Sequence, residues 1–339
     1  MRTVLVGAGR WGTVLMRKLR HLDYLIGVAE VNPARREQLI DEVGDHVAVT
    51  DNWTNLADYA DSVVVATPPE DHFSVAAEAI NMGKHVFVEK PLATTRSEAI
   101  NLNELARHAG VTLMVGHLVV YSPEIQKLKE IVQSGDLGEI KYIHTVRLNL
   151  GNIAKEGVIS HLAPHDLAIC NYLLESEPVE IMASGLTFYS RATEVAFLNV
   201  RYRNDVVCHI HLSWIDPRKR RAVTVVGGNK MAVCSSAPVQ ELLIFDKAVE
   251  SPDLAIDNYG SFLMKYRHGD VLMPKLEAYE PLEAELKHFK DCIKRRWTPL
   301  TDGDDGIRVV SAMETAERAL DEGGWHSVKK RIEVQYASG

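Results

Sequence analysis

Gly7-Ala8-Gly9-Arg10-Trp11-Gly12 carries glycine at the first, third and sixth places, directly behind the apolar run Thr3-Val4-Leu5-Val6. In a strand-to-helix turn the first glycine allows the tight bend, the second lets a phosphate approach the backbone, and the third packs helix against strand. A helix opening there offers N–H groups and a positive dipole end to a pyrophosphate. Glu30 stands 21 residues after Gly9, at the end of the apolar run Leu25 to Ala29. A carboxylate in that place accepts hydrogen bonds from ribose hydroxyls and repels a 2′-phosphate. The spacing therefore predicts a dinucleotide site that takes NAD in preference to NADP. Arg35 and Arg36 point the other way, because an arginine one turn later can hold a phosphate or stack on adenine.

A second group of residues follows: Ala66-Thr67-Pro68-Pro69, His72, and Gly83-Lys84-His85-Val86-Phe87-Val88-Glu89-Lys90-Pro91-Leu92. With Gly135-Asp136-Leu137-Gly138, Leu162-Ala163-Pro164-His165-Asp166, Ser213-Trp214 and Glu280-Pro281-Leu282, it runs over nearly the whole chain. In these motifs the sequence resembles the glucose-fructose oxidoreductase/inositol dehydrogenase/MocA (Gfo/Idh/MocA) oxidoreductases. Its later motifs are most similar to the branch that oxidises nucleotide-linked N-acetylaminosugars at the 3-hydroxyl. The resemblance implies a secondary hydroxyl of a sugar, nucleotide sugar or cyclitol as the hydride donor. It also implies that Lys90 sits beside the nicotinamide and the reacting hydroxyl. An ammonium desolvated there has a lowered pKa and can polarise or deprotonate an alcohol. Gly7, Gly9, Arg10, Trp11, Gly12 and Glu30 are the first expected cofactor contacts. Arg35, Thr67, Pro68, His72, Glu89 and Lys90 complete them.

His165 matches the family's active-site histidine, an imidazole able to exchange a proton near neutral pH. Many relatives carry aspartate four residues earlier, where this chain has His161. On a helix the two share a face, although a helix from Ala163 to Leu174 leaves His161 just outside it. His161 is expected beside Lys90 and His165 in catalysis and substrate binding, with Arg147 and Asn149 as further substrate contacts. For the last two a surface strand position is the equal alternative. No third ligand accompanies His161 and His165, so no metal is expected.

The elements that must hold these residues follow from periodicity. Up to Gly116 short β-branched runs alternate with helical stretches: Leu25 to Ala29, Ser62 to Ala66, His85 to Val88 and Thr112 to Val115 as strands, Trp11 to Leu22 and a stretch from Pro33 as helices. Such alternation predicts an α/β Rossmann domain, a doubly wound parallel sheet, over residues 1–118. A helix over Pro123 to Gln133, a strand over Ile140 to Leu150 and closely spaced strands from Val179 then predict a second α/β domain, 119–339, with a large, mainly antiparallel open sheet. There Asp205 to Trp214 alternates like a sheet with two unlike faces. Helical patterns return at Leu282 to Arg295 and Gly306 to Leu320. Substrate binding and oligomerisation are assigned to this domain, as a homodimer or homotetramer through the sheet's open face.

The 339 residues carry a formal net charge of -8, which argues against a nucleic-acid surface. One basic run, Arg218-Lys219-Arg220-Arg221, reads either as a solvated strand end or as a patch for an anion. Cys170, Cys208, Cys234 and Cys292 lie too far apart for a zinc site or redox dithiol and read as buried thiols. Without a signal-peptide pattern or an apolar run of roughly 20 residues, a cytoplasmic protein is expected. The rival to a dehydrogenase is a non-catalytic NAD(P)-binding regulator or sensor of the same fold, a reading to which His161 gives its support.

Overall fold

The computed structural model describes residues 1–151, 156–250 and 265–328. The chain packs as two compact units, Met1–Tyr121 with Tyr279–Val310, and Ser122–Ala278 with Ser311–Gly339.

The first unit alternates β1 (Thr3–Val6), α1 (Arg10–His21), β2 (Leu25–Ala29), α2 (Pro33–Val43), β3 (Ala48–Thr50), β4 (Ser62–Val65), α3 (Pro69–Asn81), β5 (His85–Glu89), α4 (Arg96–Ala109) and β6 (Leu113–Gly116). All six strands lie parallel in the order β3-β2-β1-β4-β5-β6, the expected doubly wound sheet. Strand order turns back between β1 and β4, the switch point outside which such sheets bind ligands. The apolar runs are there because both faces are covered: every residue of β4 is buried. Val63 and Val65 share one core cluster with Val4, Val86, Val88 and Leu102. Full burial of such a side chain is worth about 1.5–3 kcal/mol. Local signals set the helix ends, as in the capping box of Thr95 and Glu98 and the left-handed Gly110 that bracket α4.

The second unit holds α5 (Pro123–Gln133), β7 (Ile140–Leu150), α6 (Gly157–Leu174), β8 (Pro178–Leu186), β9 (Val195–Tyr202), β10 (Val207–Ser213), β11 (Ile215–Gly227), β12 (Met231–Ala237), β13 (Glu241–Glu250) and β14 (Lys265–Leu272). α7 (Pro281–Arg295), α8 (Gly303–Glu322) and β15 (Trp325–Ser327) follow in the chain. Nine strands form one sheet, β14-β13-β12-β11-β7-β10-β9-β8-β15, in which only the pair of β10 with β7 is parallel. Cys208, Ile210 and Leu212 of β10 are buried, alternating with partly exposed Val207, His209 and His211. On the same face the Tyr202 hydroxyl of β9 donates to Asn171 Oδ1 of α6 at 2.8 Å, which places that helix over the buried side. All four cysteines are free and buried, as expected.

Two elements differ from the sequence expectation. α6 starts at Gly157, so His161 lies inside the helix and Pro164 is accommodated within it. Tyr279–Val310 packs with the first unit rather than with the rest of 119–339. The reason is tertiary: Phe289 of α7 meets Phe87 edge-on at 5.8 Å, and Thr301 Oγ1 donates to Val115 O at 2.7 Å. Among the described residues no helix is long and apolar enough to cross a membrane.

Candidate active site

The three glycines of the β1–α1 loop have three different surroundings. Gly7 has φ +91°, and a Cβ there would lie 2.7 Å from Ala66 O. A Cβ on Gly12 would lie 2.2 Å from Gly7 O, whereas one on Gly9 would meet nothing within 4 Å. Turn, helix packing and open approach thus fall to the residues the spacing assigns them. α1 has no side-chain cap and no acidic residue in its first turn, which leaves its positive end for an anion. The loop borders a cleft of about 630 Å³, lined also by Trp11, Glu30, Thr67 and Pro68. Buried in that lining is the Thr67 hydroxyl oxygen, which has no hydrogen-bond partner among the described residues. An open glycine backbone and an orphaned hydroxyl both fit a polar ligand such as a dinucleotide.

Glu30 accepts from Ala8 N at 2.8 Å and from Asn32 N at 2.9 Å, so its carboxylate is already oriented by the loop. Glu30, Asp51, Asp71 and Glu78 line the cleft against a single cation, Arg10. That balance opposes an additional phosphate. Arg35 is not in the lining. Its Nε donates to Ala8 O at 3.1 Å, one terminal nitrogen to Gln38 and Glu42, the other to Thr13 and Glu42. All five donors of a guanidinium are thereby engaged. The expected cofactor contact is therefore corrected to a clamp behind the loop: α2 brings Arg35 and Glu42 onto one face, where they pair at 2.6 Å.

His72, also expected at the cofactor, is 1% exposed and faces two carbonyls, Pro91 O at 2.7 Å from Nδ1 and Thr67 O at 3.0 Å from Nε2. Two acceptors favour the imidazolium, but burial outweighs them and lowers its pKa. The neutral ring donates to one carbonyl. It ties the Thr67 loop to the turn after Lys90, and so acts on the site through backbone position.

Glu89 ends β5 and Lys90 follows it. Trp11 Nε1 donates to Glu89 Oε1 at 2.6 Å, and Lys90 N donates to Oε2 at 3.2 Å. Burial pushes the Glu89 carboxyl up to about 7, against the Trp11 bond and the Lys90 charge. The sequence reading missed what lies behind. Buried His117 is pushed down to about 3 by desolvation and then by the Lys90 and Arg308 charges, so it is neutral despite Asp305 Oδ2 3.7 Å away. Glu285 of α7 is fully buried, and burial and the Glu89 charge raise it well above the carboxylate range. Neither residue belongs to a local motif; only the docking of α7 and α8 onto β5 and β6 reveals them.

In the second unit His161 and His165 occupy successive turns of α6, and the His161 ring lies 5.6 Å from that of Trp214. Arg147, expected to meet substrate, is 7% exposed and holds Asp166, with Nε to Oδ2 at 2.5 Å and Nη2 to Oδ1 at 3.4 Å. That contact is corrected to a buried ion pair that fixes α6 on β7 next to His165. Asn149 is exposed. Among the described residues no three His, Cys, Asp or Glu side chains cluster as metal ligands.

Residues 1–117 match the family described as oxidoreductases with an NAD-binding Rossmann fold, and residues 125–233 match the Gfo/Idh/MocA C-terminal domain. The chain belongs to the Gfo/Idh/MocA oxidoreductases. It is similar to the UDP-N-acetylglucosamine 3-dehydrogenase of Acidithiobacillus ferrooxidans, 25% identical over 92% of this chain and 95% of that protein. A myo-inositol 2-dehydrogenase of Thermotoga maritima is 23% identical over 95% of this chain and 97% of its own. Among solved structures, the Acidithiobacillus enzyme superposes with a TM-score of 0.82 at 24% identity, covering 95% of this chain and 98% of that one. A Bordetella pertussis dehydrogenase in complex with NADH and UDP-GlcNAcA gives 0.77 at 18% identity, covering 98% and 99%. At these identities the structural likeness carries the fold, and the family brings NAD as cofactor and oxidoreductase chemistry.

For a Gfo/Idh/MocA protein the first unit therefore gathers Gly7 to Gly12, Glu30, Thr67, Glu89 and Lys90 around the carboxyl ends of β1, β2, β4 and β5. The second gathers His161, His165, Asp166 and Trp214 around α6. Arg35, His72 and Arg147, all expected to touch ligand, are held by protein groups that give them another task.

Proposed function

We propose that this chain is an NAD-dependent dehydrogenase of a secondary hydroxyl on a sugar, nucleotide-linked sugar or cyclitol, with the 3-hydroxyl of a UDP-N-acetylaminosugar as its first candidate. The observation that carries the reading is the Trp11–Glu89 hydrogen bond of 2.6 Å, which joins the glycine loop to the residue before Lys90. That bond ties the cofactor loop to the strand end that carries the candidate base.

NAD, when bound, supplies the hydride acceptor. Gly9 and the start of α1 receive the pyrophosphate, and Glu30 receives the adenosine ribose hydroxyls. Lys90, as the neutral amine, takes the hydroxyl proton as hydride leaves the carbinol carbon and becomes the ammonium. His165 is assigned the same proton through its match to the family motif. Asp166 beside it is held by Arg147, so the helix turn that carries the imidazole is fixed. A tuned acid/base pair places its proton affinity near working pH, where each partner can both accept and release.

The test is NADH formation by the purified chain with inositols, simple sugars and UDP-N-acetylaminosugars. Reduction with at least one class supports a dehydrogenase. Tight NAD binding with no reduction across all classes supports instead the regulator of the same fold, the reading that His161 in the aspartate position favours.

A further inference from the structure

The basic run at the start of β11 is used by nothing described so far. We infer that Arg218, Lys219 and Arg221, with Asn149, form a seat for the diphosphate of a nucleotide-linked substrate. The inference rests on the dehydrogenase reading for what the rest of the ligand is, and on the strand geometry for the seat.

The first observation is register. Ile215 pairs with Leu150 and Arg220 with Leu148, so the four residues Asp216 to Lys219 stand against Asn149 alone. β11 thus carries three extra residues in a bulged excursion, closed by Arg218 N donating to Asp216 Oδ1 at 2.9 Å. Bulges of this kind bend a strand and re-aim its side chains, and they recur beside active sites. Here the bulge carries two exposed cations, Arg218 and Lys219.

The second observation is charge. Arg221 pairs directly with Arg147 across the ladder. Like charges opposite one another are destabilising, and Asp166, a carboxylate that acts on both guanidiniums, is already bound by Arg147. Partial burial and the Arg147 charge accordingly hold the Arg221 guanidinium below its ordinary value, with Asp166 pulling the other way. The side chains of Arg218, Lys219 and Arg221 have no ion pair among the described residues. An anion at this place relieves a repulsion that the fold itself leaves open. Arg220 belongs elsewhere, since it pairs with Leu148 and its charge acts on His144 of the alternate face.

The third observation is location. Trp214, whose ring faces His161 of α6 at 5.6 Å, immediately precedes β11. The seat thus lies at the end of the second unit that presents the candidate proton-handling histidines. Two guanidiniums and an ammonium suit a group with two adjacent phosphates, because guanidinium binds phosphate oxygens in pairs. A run this short, in a chain of net charge -8, does not suit a nucleic acid.

The experiment is calorimetric titration of the NAD-loaded protein with UDP, inorganic pyrophosphate and inorganic phosphate, in the unaltered chain, in Arg218→Gln/Arg221→Gln, and in Arg221→Lys. UDP and pyrophosphate should bind, and the double variant should weaken both by about ten- to a hundredfold, the worth of lost charged hydrogen bonds. Arg221→Lys should keep part of the affinity. NAD affinity, read on the same samples, should not move, and the melting temperature of the double variant should not fall, because the like-charge pair with Arg147 is relieved. Absence of UDP binding, or UDP affinity unchanged in the double variant, overturns the seat. Equal weak binding of pyrophosphate and phosphate means an adventitious ion only, and displacement of UDP by duplex DNA means a polyanion surface; either overturns it. A negative NADH assay leaves these isotherms intact, so the two readings can fail separately.

Discussion

Lys90 and His165 are given one proton between them, and this makes their substitution informative. Lys90→Met and His165→Ala should each lower turnover by ~10²–10⁴-fold while changing NAD affinity far less. Steady-state rates and NAD titrations separate the two effects, and the double variant should lose less than the product of the single losses. Glu89 makes a different prediction. Its folded value of about 7 lies above the 4.5 of an unperturbed glutamate, so the folded state holds that proton more tightly than the unfolded chain. Its stabilising contribution is complete below the unfolded value and is lost as pH rises through about 7. The full shift corresponds to about 3 kcal/mol, an order of magnitude only. Glu89→Gln should therefore flatten the fall in melting temperature between about pH 5 and 8. An identical fall in both proteins rules out a raised Glu89. Residue types alone pointed to Glu30, Glu89 and Lys90 because each ends a strand in a recognisable motif. They could not show that Arg147 is spent on Asp166, nineteen residues away, since pairing across a helix–sheet interface leaves no local pattern.

At the level of elements, the β1–α1 turn separates folding from binding. A methyl at Gly12 collides with Gly7 O, whereas a methyl at Gly9 enters open space. Gly12→Ala should destabilise by at least the ~1–3 kcal/mol of an overpacked site. Gly9→Ala should fold normally yet weaken NAD binding, because the methyl occupies the path of the pyrophosphate. Thermal melts with and without NAD read both quantities, and a Gly9→Ala protein that binds NAD as before removes the loop from the cofactor site. Parallel strands such as β4 were legible as β-branched runs because burial on both faces demands them. β3, three residues at the sheet edge, was not, since so short a run has no period. The first turns of α6 were hidden by Gly157 and Pro164, residues that normally mark a helix end, and α7 was legible as a helix but not as part of the first unit. Periodicity reports which face is apolar; it does not report what covers that face.

The whole molecule poses a question of assembly. One face of the nine-stranded sheet is covered by helix, as the Tyr202 hydroxyl donating to Asn171 of α6 at 2.8 Å illustrates. The other carries Phe197 stacked on His211 at 4.5 Å, and Tyr142, 47% exposed. A surface of this composition predicts a homodimer or a dimer of dimers formed through the sheet. Light scattering at micromolar concentration should give a mass of two or four chains; a single-chain mass contradicts it. The central claim, hydride transfer from a secondary carbinol carbon to NAD with Lys90 as proton acceptor, is tested most directly by isotope transfer. UDP-N-acetylglucosamine deuterated at the carbon bearing the 3-hydroxyl, incubated with the chain and NAD, should yield NADH carrying the deuterium at C4 of the nicotinamide, and Lys90→Met should suppress that yield by the same ~10²–10⁴-fold. Deuterium lost to water during turnover, or an undiminished yield from Lys90→Met, contradicts the account.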